Sequence, residues 1–427
     1  MALLHQLFLD SLRATQWYDA DKLLSFQLPQ IERMCRHAAS ATSAYAERLR
    51  PLFRFGDSQS GKFRFERWRD IPILTRRDLA TNIDAFTASS TPEATGAVRT
   101  GTTSGSTGTP LAYRASTLMD IASICQNERV YEEHDFDLFP PFASIRLDPE
   151  AIYPEGKRRK GWSRSAPSGE LGVLNLHTPV EQQLAWLKEF KPTHLHVYPS
   201  VLEPLIEANA IDEPLRFERV MTFSEVLSPE TRRAAEAAFD CKVVDCYGCN
   251  EGGFIAWQCP VHETVMHIAA ESNFVELLDE QGEPVAQGEL GRVVLTSLHN
   301  FAMPLIRYDV GDLAAFGPPC SCGRGLPALS RIAGRTHSVF ILPGGRRLVP
   351  DARDLAFFEF IPMRQFQFVQ HTLNDFELRY VPAHDGRETD PAGLLAHLRR
   401  RPKTTESPLL PRRGISARGI PARAITF

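Results

Sequence analysis

The sequence predicts an α/β fold in two unequal domains, and three observations carry that prediction. Residues 140–260 alternate short apolar runs with helical patterns, from Phe142–Leu147 through Val180–Phe190, His194–Tyr198, Val201–Asn209, Arg219–Phe223 and Pro229–Phe239 to Lys242–Cys246. Strands separated by helices of that length form parallel sheets. From Phe274 to Leu298 the pattern changes to strand alternation broken by glycines, which indicates an antiparallel sheet. The chain has 427 residues, more than one hydrophobic core comfortably holds. The expected division is a large domain over residues 1–342 and a small α+β domain over residues 343–427.

Residues 1–90 read as mainly helical. Met34 to Leu52 carries a helical apolar pattern, and Ile71-Pro72-Ile73-Leu74-Thr75 reads as an extended segment that caps a following helix. Arg99 to Pro110 is a loop of small residues, followed by a short strand at Leu111–Arg114 and a helix at Leu118–Glu133. Pro343-Gly344-Gly345 marks a turn or hinge. The last 37 residues hold seven Arg and Lys403 against the single acid Glu406, with five prolines. That composition predicts a poorly ordered or loosely attached end. No internal repeat is present.

Composition excludes several classes. With 43% hydrophobic and 23% charged residues the chain is an ordinary globular mixture. A net charge of −4 offers no polybasic footprint, so nucleic acid is not expected as a partner. No apolar run approaches the length of a spanning helix, so no membrane association is expected. The N-terminal stretch lacks a basic start and a small-residue cleavage site, and the eight cysteines are too few for a disulfide scaffold. The expected location is the cytoplasm.

The strongest local signal is Thr102-Thr-Ser-Gly-Ser-Thr-Gly-Thr-Pro110. Glycines let backbone N–H groups approach a phosphate, and the hydroxyls of Thr103, Ser104, Ser106 and Thr107 add donors. The segment contains no lysine, so it is not a Walker loop. Composition alone equally allows a flexible linker. Cys259, His267 and the Cys320-Ser-Cys322 pair form a second signal, because three thiolates and an imidazole are a donor set that favours tetrahedral zinc. Four protein ligands would leave no open position, so the expected role is structural. Cys246 reads as apolar filler, and Cys249 as filler with a reactive thiol as the alternative.

Four further motifs follow the loop in order. They are Asp245-Cys-Tyr-Gly-Cys-Asn-Glu251, Gly288-Glu-Leu-Gly-Arg-Val-Val-Leu-Thr296, Pro304-Leu-Ile-Arg-Tyr-Asp-Val-Gly-Asp312 and Arg331-Ile-Ala-Gly-Arg335. Together with the loop they resemble the motifs of the adenylate-forming superfamily, which includes acyl-CoA synthetases and adenylation domains. The short N-terminus, the Pro-Leu-Ile-Arg-Tyr form and the cysteine-rich insert are most similar to the phenylacetate–CoA ligase branch. The resemblance covers roughly residues 60–350.

The resemblance implies a large adenylate-forming domain with α/β subdomains and a small antiparallel sheet, followed by a small mobile lid. It implies AMP-forming activation of a small carboxylic acid by ATP, with transfer of the acyl group to CoA or a carrier-protein thiol. An amine acceptor and a non-catalytic nucleotide-binding relative are the alternatives. It implies that Thr103, Ser104, Gly105, Ser106, Thr107 and Gly108 hold the β- and γ-phosphates. Glu251 would ligate Mg²⁺, with Gly248 and Asn250 beside it, and Tyr247 would pack on the adenine. Asp245 would accept from the adenine amino group, and Ser224-Glu225-Val226 would line the base's other side. Asp312 would hold the ribose hydroxyls, and Arg335 would reach the ribose or phosphate. Tyr198-Pro-Ser200 and Gly252-Gly253-Phe254 would shape the acyl site, the two glycines leaving room beside Glu251. For the zinc set the resemblance selects His267 over His262. It also implies, by analogy, a homodimer.

The pattern fails at one place. The superfamily's C-terminal catalytic lysine has no counterpart here. Arg413 and Arg418 occupy the corresponding region, an Arg fork differs chemically from a compact ammonium, and Lys403 stands in a different context. After Arg335, relatives carry an acid where this chain has His337.

Overall fold

The computed structural model describes residues 2–53, 61–103, 111–165, 168–209 and 214–335. Beyond these it describes 340–341, 347–348, 360–361, 363–372, 375–382, 389–390, 392–393 and 415–419. The chain divides into two compact units, Met1–Ile332 and Ala333–Phe427. The boundary expected after residue 342 and the turn at Pro343–Gly345 lie outside the described residues.

The first unit opens with helices α1 (Ala2–Thr15), α2 (Ala20–Ala41) and α3 (Ser43–Arg48). Asp19 caps α2 by accepting from the Lys22 N–H, and Leu23, Ile31, Met34, Cys35 and Ala38 form its buried stripe. Helices α4 (Arg76–Thr81) and α5 (Ile83–Phe86) follow. At α4 the Thr75 side chain accepts from the Asp78 N–H while the Asp78 carboxylate accepts from the Thr75 N–H, a reciprocal capping box.

Strand β1 (Val98–Thr102) pairs antiparallel with β2 (Ala112–Ser116). The segment from Arg99 expected to be loop is therefore partly strand, because its partner across the turn supplies a ladder that a Thr/Gly composition does not announce. Helix α6 (Thr117–Glu133) then leads into the sheet, where β3 (Phe142–Arg146), β4 (Lys157–Lys160) and β5 (Glu170–Asn175) are followed by α7 (Val180–Phe190) and β6 (His194–Val197). Next come α8 (Pro199–Ala208), β7 (Arg219–Thr222), α9 (Pro229–Phe239) and β8 (Lys242–Cys249). The strands β5, β3, β6, β7 and β8 lie side by side in parallel register. The highly charged β4 closes the far edge antiparallel to β5. Neither β4 nor β5 stands out in the sequence, since four consecutive basic residues give no apolar alternation.

The antiparallel part comprises β9 (Gly253–Gln258), β10 (Met266–Ile268), β11 (Asn273–Leu278), β12 (Gly291–Ser297), β13 (Tyr308–Phe316) and β14 (Ala328–Arg335). It is continuous with the parallel part. β8 pairs parallel with β7 on one edge and antiparallel with β9 on the other, giving one twelve-stranded sheet. Ile145, Val197, Val220 and Val243 pack into the core formed with α7, α8 and α9. Met221 and Val244, one step out of phase, join the larger core that also holds Ile255, Leu295 and Tyr308.

The second unit contains β15 (Phe340–Ile341) paired with β16 (Arg347–Leu348). It also holds β17 (Met363–Thr372) and β18 (Asp375–Pro382), which pair antiparallel, and β19 (Ile415–Gly419), which pairs parallel with β18. The end of the chain expected to be loosely attached thus contributes a strand.

Arg307 holds the junction before β13. It adopts a left-handed backbone (φ 50°) and is fully buried. Its guanidinium binds both Glu276 oxygens at 3.1 Å and donates to the carbonyls of Arg69 and Ile71. Trp68 Nε1 donates to the same carboxylate. Removing one partner strands the other charge in the core. Arg307→Met is expected to lower stability by about 3–5 kcal/mol, read as a shifted urea midpoint.

Candidate functional site

Glu251 stands at the centre. It follows the end of β8 and is 5% exposed. Tyr308, the first residue of β13, donates its hydroxyl to Glu251 Oε1 at 2.8 Å, and Arg76 Nη1 lies 3.6 Å from the same oxygen. Arg76 also donates through Nη2 to Thr103 Oγ1 at 2.8 Å. One guanidinium therefore spans the stem of the glycine-rich loop and the buried carboxylate. Burial and the Glu251 charge push the Tyr308 phenol well above its ordinary range, so it stays a donor.

The placement of Arg76 follows from its local structure. Leu74 N donates to the Arg307 carbonyl and Asp309 N donates to the Leu74 carbonyl, both at 2.8 Å, so the extended segment before α4 is laced to the start of β13. The capping box then starts α4, and Arg76 is its first residue. The loop stem is closed by Thr103 N donating to the Leu111 carbonyl and Leu111 N donating to Thr103 Oγ1. Ser104, Gly105, Ser106, Thr107 and Gly108 lie outside the described residues.

A second pair joins the other motifs. Tyr247 donates its hydroxyl to Asp312 Oδ2 at 2.7 Å, and Asp312 is 7% exposed. Asp245 is two residues back on β8, where Thr222 Oγ1 donates to its Oδ1 at 2.7 Å. Burial pushes the Asp245 carboxyl up to about 6. Ser224 sits in a left-handed turn (φ 66°) after β7. Glu225 anchors that turn by accepting from the Ser200 N–H at 2.8 Å and the Ser200 hydroxyl at 2.9 Å, while Val226 and Asn250 are exposed. The Glu225 carboxylate is thus engaged with the start of α8.

The glycines after Glu251 are not spare room. A Cβ on Gly252 would meet Leu295 Cδ2 at 2.4 Å and Cys249 Sγ at 2.8 Å, and one on Gly248 would meet the Gly253 carbonyl at 2.7 Å. The expectation of room beside Glu251 is corrected at Gly252, where Leu295 and Cys249 take the place of a side chain. Gly252 and Phe254 do line a small cavity, shared with Met119, Ser123 and Gln126 of α6.

Cys259, His267, Cys320 and Cys322 converge with all ligand atoms within 4.8 Å of one another. Cys259 Sγ is 3.7 Å from Cys320 Sγ, and Cys322 Sγ is 3.3 Å from His267 Nε2. His262 is turned away to the Ser321 hydroxyl. Three thiols and an imidazole at this spacing fit a tetrahedral zinc ion. The group ties β9 and β10 to the segment after β13.

Arg335 ends β14, and its side chain lies outside the described residues, as do His337, Lys403 and Arg413. Arg418 lies on β19 opposite Arg379 of β18. Sequence reasoning missed Arg76 and Tyr308 as partners of Glu251. The signal for Arg76 was its place just after the Thr75 cap; that for Tyr308 was its place inside the same motif as Asp312.

Residues 169–303 match the family description AMP-binding enzyme. Over that segment the chain is similar to AMP-binding enzymes. Its sequence is 29% identical over 172 residues to the phenylacetate-coenzyme A ligase of Thermus thermophilus, covering 38% of this chain and 39% of that protein. The chain thus spans about two fifths of the length of the first curated relatives it matches. It is 24% identical over 347 residues to the corresponding Escherichia coli K12 ligase, covering 76% of this chain and 74% of that one. Its fold matches that of 2-hydroxyisobutyryl-CoA ligase in complex with an acyl-AMP, with a TM-score of 0.74 and 16% identity over 96% of this chain and 89% of that one. Among the described residues no helix is long and apolar enough to cross a membrane.

The Asp245 carboxyl binds a proton more tightly in the folded than in the unfolded chain. Its contribution to stability is therefore present below about pH 4 and is lost as the pH rises through about 6. Asp245→Asn is expected to flatten that part of the stability–pH curve, measured by urea denaturation at pH 4 and pH 7.

Proposed function

We propose that the protein activates a small carboxylic acid with ATP as an acyl-adenylate and passes the acyl group to the thiol of CoA. The observation that carries this reading is the convergence on Glu251, where Arg76 links the stem of the glycine-rich loop to the buried carboxylate and Tyr308. The curated relatives are CoA ligases, and the structural neighbour has been described with both an acyl-AMP and CoA. Both half-reactions follow. A carboxylate oxygen bonds to the α-phosphorus and pyrophosphate leaves; the thiol then bonds to the acyl carbon and AMP leaves.

In this reading the chain works mainly by positioning and charge. The loop from Thr103 to Gly108 cradles the β- and γ-phosphates, with Arg76 adding positive charge at its stem. Tyr247 meets the adenine, and Asp245, held by Thr222, accepts from its amino group. Asp312, oriented by Tyr247, accepts from the ribose. Arg335 reaches the ribose or phosphate. Glu251 is a hard carboxylate ligand suited to Mg²⁺, which when bound neutralises the phosphate oxygens. Zinc held by Cys259, His267, Cys320 and Cys322 would be structural, since the four donors fill its coordination. The location that suits these substrates is the cytoplasm. A carrier-protein thiol as acceptor and a homodimeric state belong to the same reading, by analogy with the branch.

Carboxylate-dependent ATP–pyrophosphate exchange tests the activation step. One acid from an aryl and aliphatic panel is expected to support exchange, and Glu251→Gln to reduce it at least about 100-fold. Exchange that is absent with every acid despite ATP binding would overturn the reading. Adding CoA is expected to yield a thioester, whereas product formation only with an amine would replace the acceptor. For the zinc site, elemental analysis is expected to find one zinc per chain, lost in Cys322→Ser together with a lower melting temperature.

A further inference from the structure

The two oxygens of the Glu251 carboxylate have different surroundings. Oε1 accepts from the Tyr308 hydroxyl at 2.8 Å and has Arg76 Nη1 at 3.6 Å. No hydrogen bond from the described residues reaches Oε2. A carboxylate can give a cation one oxygen or both, and ions differ in which they accept. Mg²⁺ keeps a tight octahedral shell, filled by single carboxylate oxygens, phosphate oxygens and water, whereas the larger Ca²⁺ also takes a carboxylate through both oxygens at once.

The two partners of Oε1 are not held equally firmly. Tyr308 is fully buried, pairs with Leu295 of β12 and bridges to Leu74 ahead of α4. Leu295 also fills the space where a Cβ on Gly252 would sit. One leucine thus packs against both the strand that carries the phenol and the turn that carries the carboxylate. Within that turn Gly252 N donates to Cys249 Sγ at 3.2 Å. The phenol and Oε1 therefore separate only if β12 and β13 shift against the hairpin from β8 to β9. Arg76, by contrast, is partly exposed on the first turn of a short helix and has Thr103 Oγ1 as a second partner. A cation at the carboxylate repels the guanidinium toward the loop stem, but it does not repel an uncharged hydroxyl.

We propose that Tyr308 is a positioning residue that keeps Oε1 of Glu251 occupied, so that the carboxylate offers a divalent cation Oε2 alone and thereby selects Mg²⁺ over Ca²⁺. The proposal rests on the reading above, in which Glu251 meets the metal of a bound nucleotide, and adds how that metal is chosen.

The test measures calorimetric affinity for ATP in saturating Mg²⁺, in saturating Ca²⁺ and in EDTA. The wild-type protein is expected to bind ATP at least about 10-fold more tightly with Mg²⁺ than with Ca²⁺. Tyr308→Phe keeps the ring and its packing and removes only the hydroxyl. It is expected to cut that ratio by about 5- to 50-fold, while affinity in EDTA stays within about twofold. A merely structural role for Tyr308 would weaken binding under all three conditions and leave the ratio unchanged, which overturns the proposal. Infrared difference spectra between metal-free and metal-loaded protein with ATP give a second readout, and Glu251→Gln identifies the bands. The two carboxylate stretching bands lie far apart when one oxygen binds the metal and close together when both do. Wide separation is expected for the wild type with Mg²⁺, and narrow separation for Tyr308→Phe with Ca²⁺. Narrow separation in the wild type with Mg²⁺ overturns the proposal even if Tyr308→Phe fails to fold, as does ATP binding that no divalent cation alters. Failure of the adenylation reading looks different: the Mg²⁺ preference is present and falls in Tyr308→Phe, but no acid supports pyrophosphate exchange.

Discussion

Everything in the site depends on one strand being shared. β8 hydrogen-bonds in parallel to β7 and in antiparallel to β9, so it is the only strand of the sheet that belongs to both halves among the described residues. A ladder constrains both neighbours at once, and a slip by one residue would turn every side chain to the other face. Asp245, Tyr247 and Glu251 all come from this strand and the turn at its end. Their positions are therefore set by the register of the whole sheet and not by local preference. The glycines of the hairpin serve that constraint: Gly248 and Gly252 admit backbone and side-chain neighbours at distances that a Cβ would forbid.

Around that strand, charge is placed in pairs whose members come from distant parts of the chain. Arg76 meets Glu251, Arg307 meets Glu276, and Arg129 of α6 meets Glu271 at 2.7 Å with both side chains buried. Buried pairs of this kind contribute little net stability compared with apolar packing, but they are intolerant of a missing partner. Their effect here is positional. Arg307 ties the segment before α4 to β13, and that segment in turn delivers Arg76 to the loop stem and the carboxylate. The site's electrostatics and the fold's connectivity thus share the same contacts.

The cysteine and histidine cluster acts on the same sheet from the opposite end. Cys259 follows β9, His267 lies within β10, and Cys320 and Cys322 follow β13. Just beyond, Arg324 pairs with Glu133 at the end of α6 and with Gln16 after α1. The cluster therefore joins the antiparallel strands to the helix that begins where the glycine-rich loop returns to the sheet. With a metal bound, a four-donor set of this kind would hold these segments together without an open coordination position.

Much was legible from residues alone. Helices α7 and α9 lie at the expected bounds, because Pro229, the Ser228 cap and the apolar spacing are all local signals. The ordered motifs pointed to residues that the fold brings together around Glu251 and Asp312, and the cysteine spacing pointed to four groups that converge. Elements with no local signal were missed. β4 is a run of basic residues, β5 has glycine in its middle, and β19 lies in a proline-rich basic stretch; each is a strand only because a neighbour completes its ladder. The partners of Glu251 and the close contacts of Gly252 with Leu295 depend on residues far apart in the chain. Sequence determines which groups can donate, accept, cap or coordinate, since those are properties of single side chains and their near neighbours. Only the tertiary structure decides which of them meet, because register and packing are fixed by the whole sheet at once.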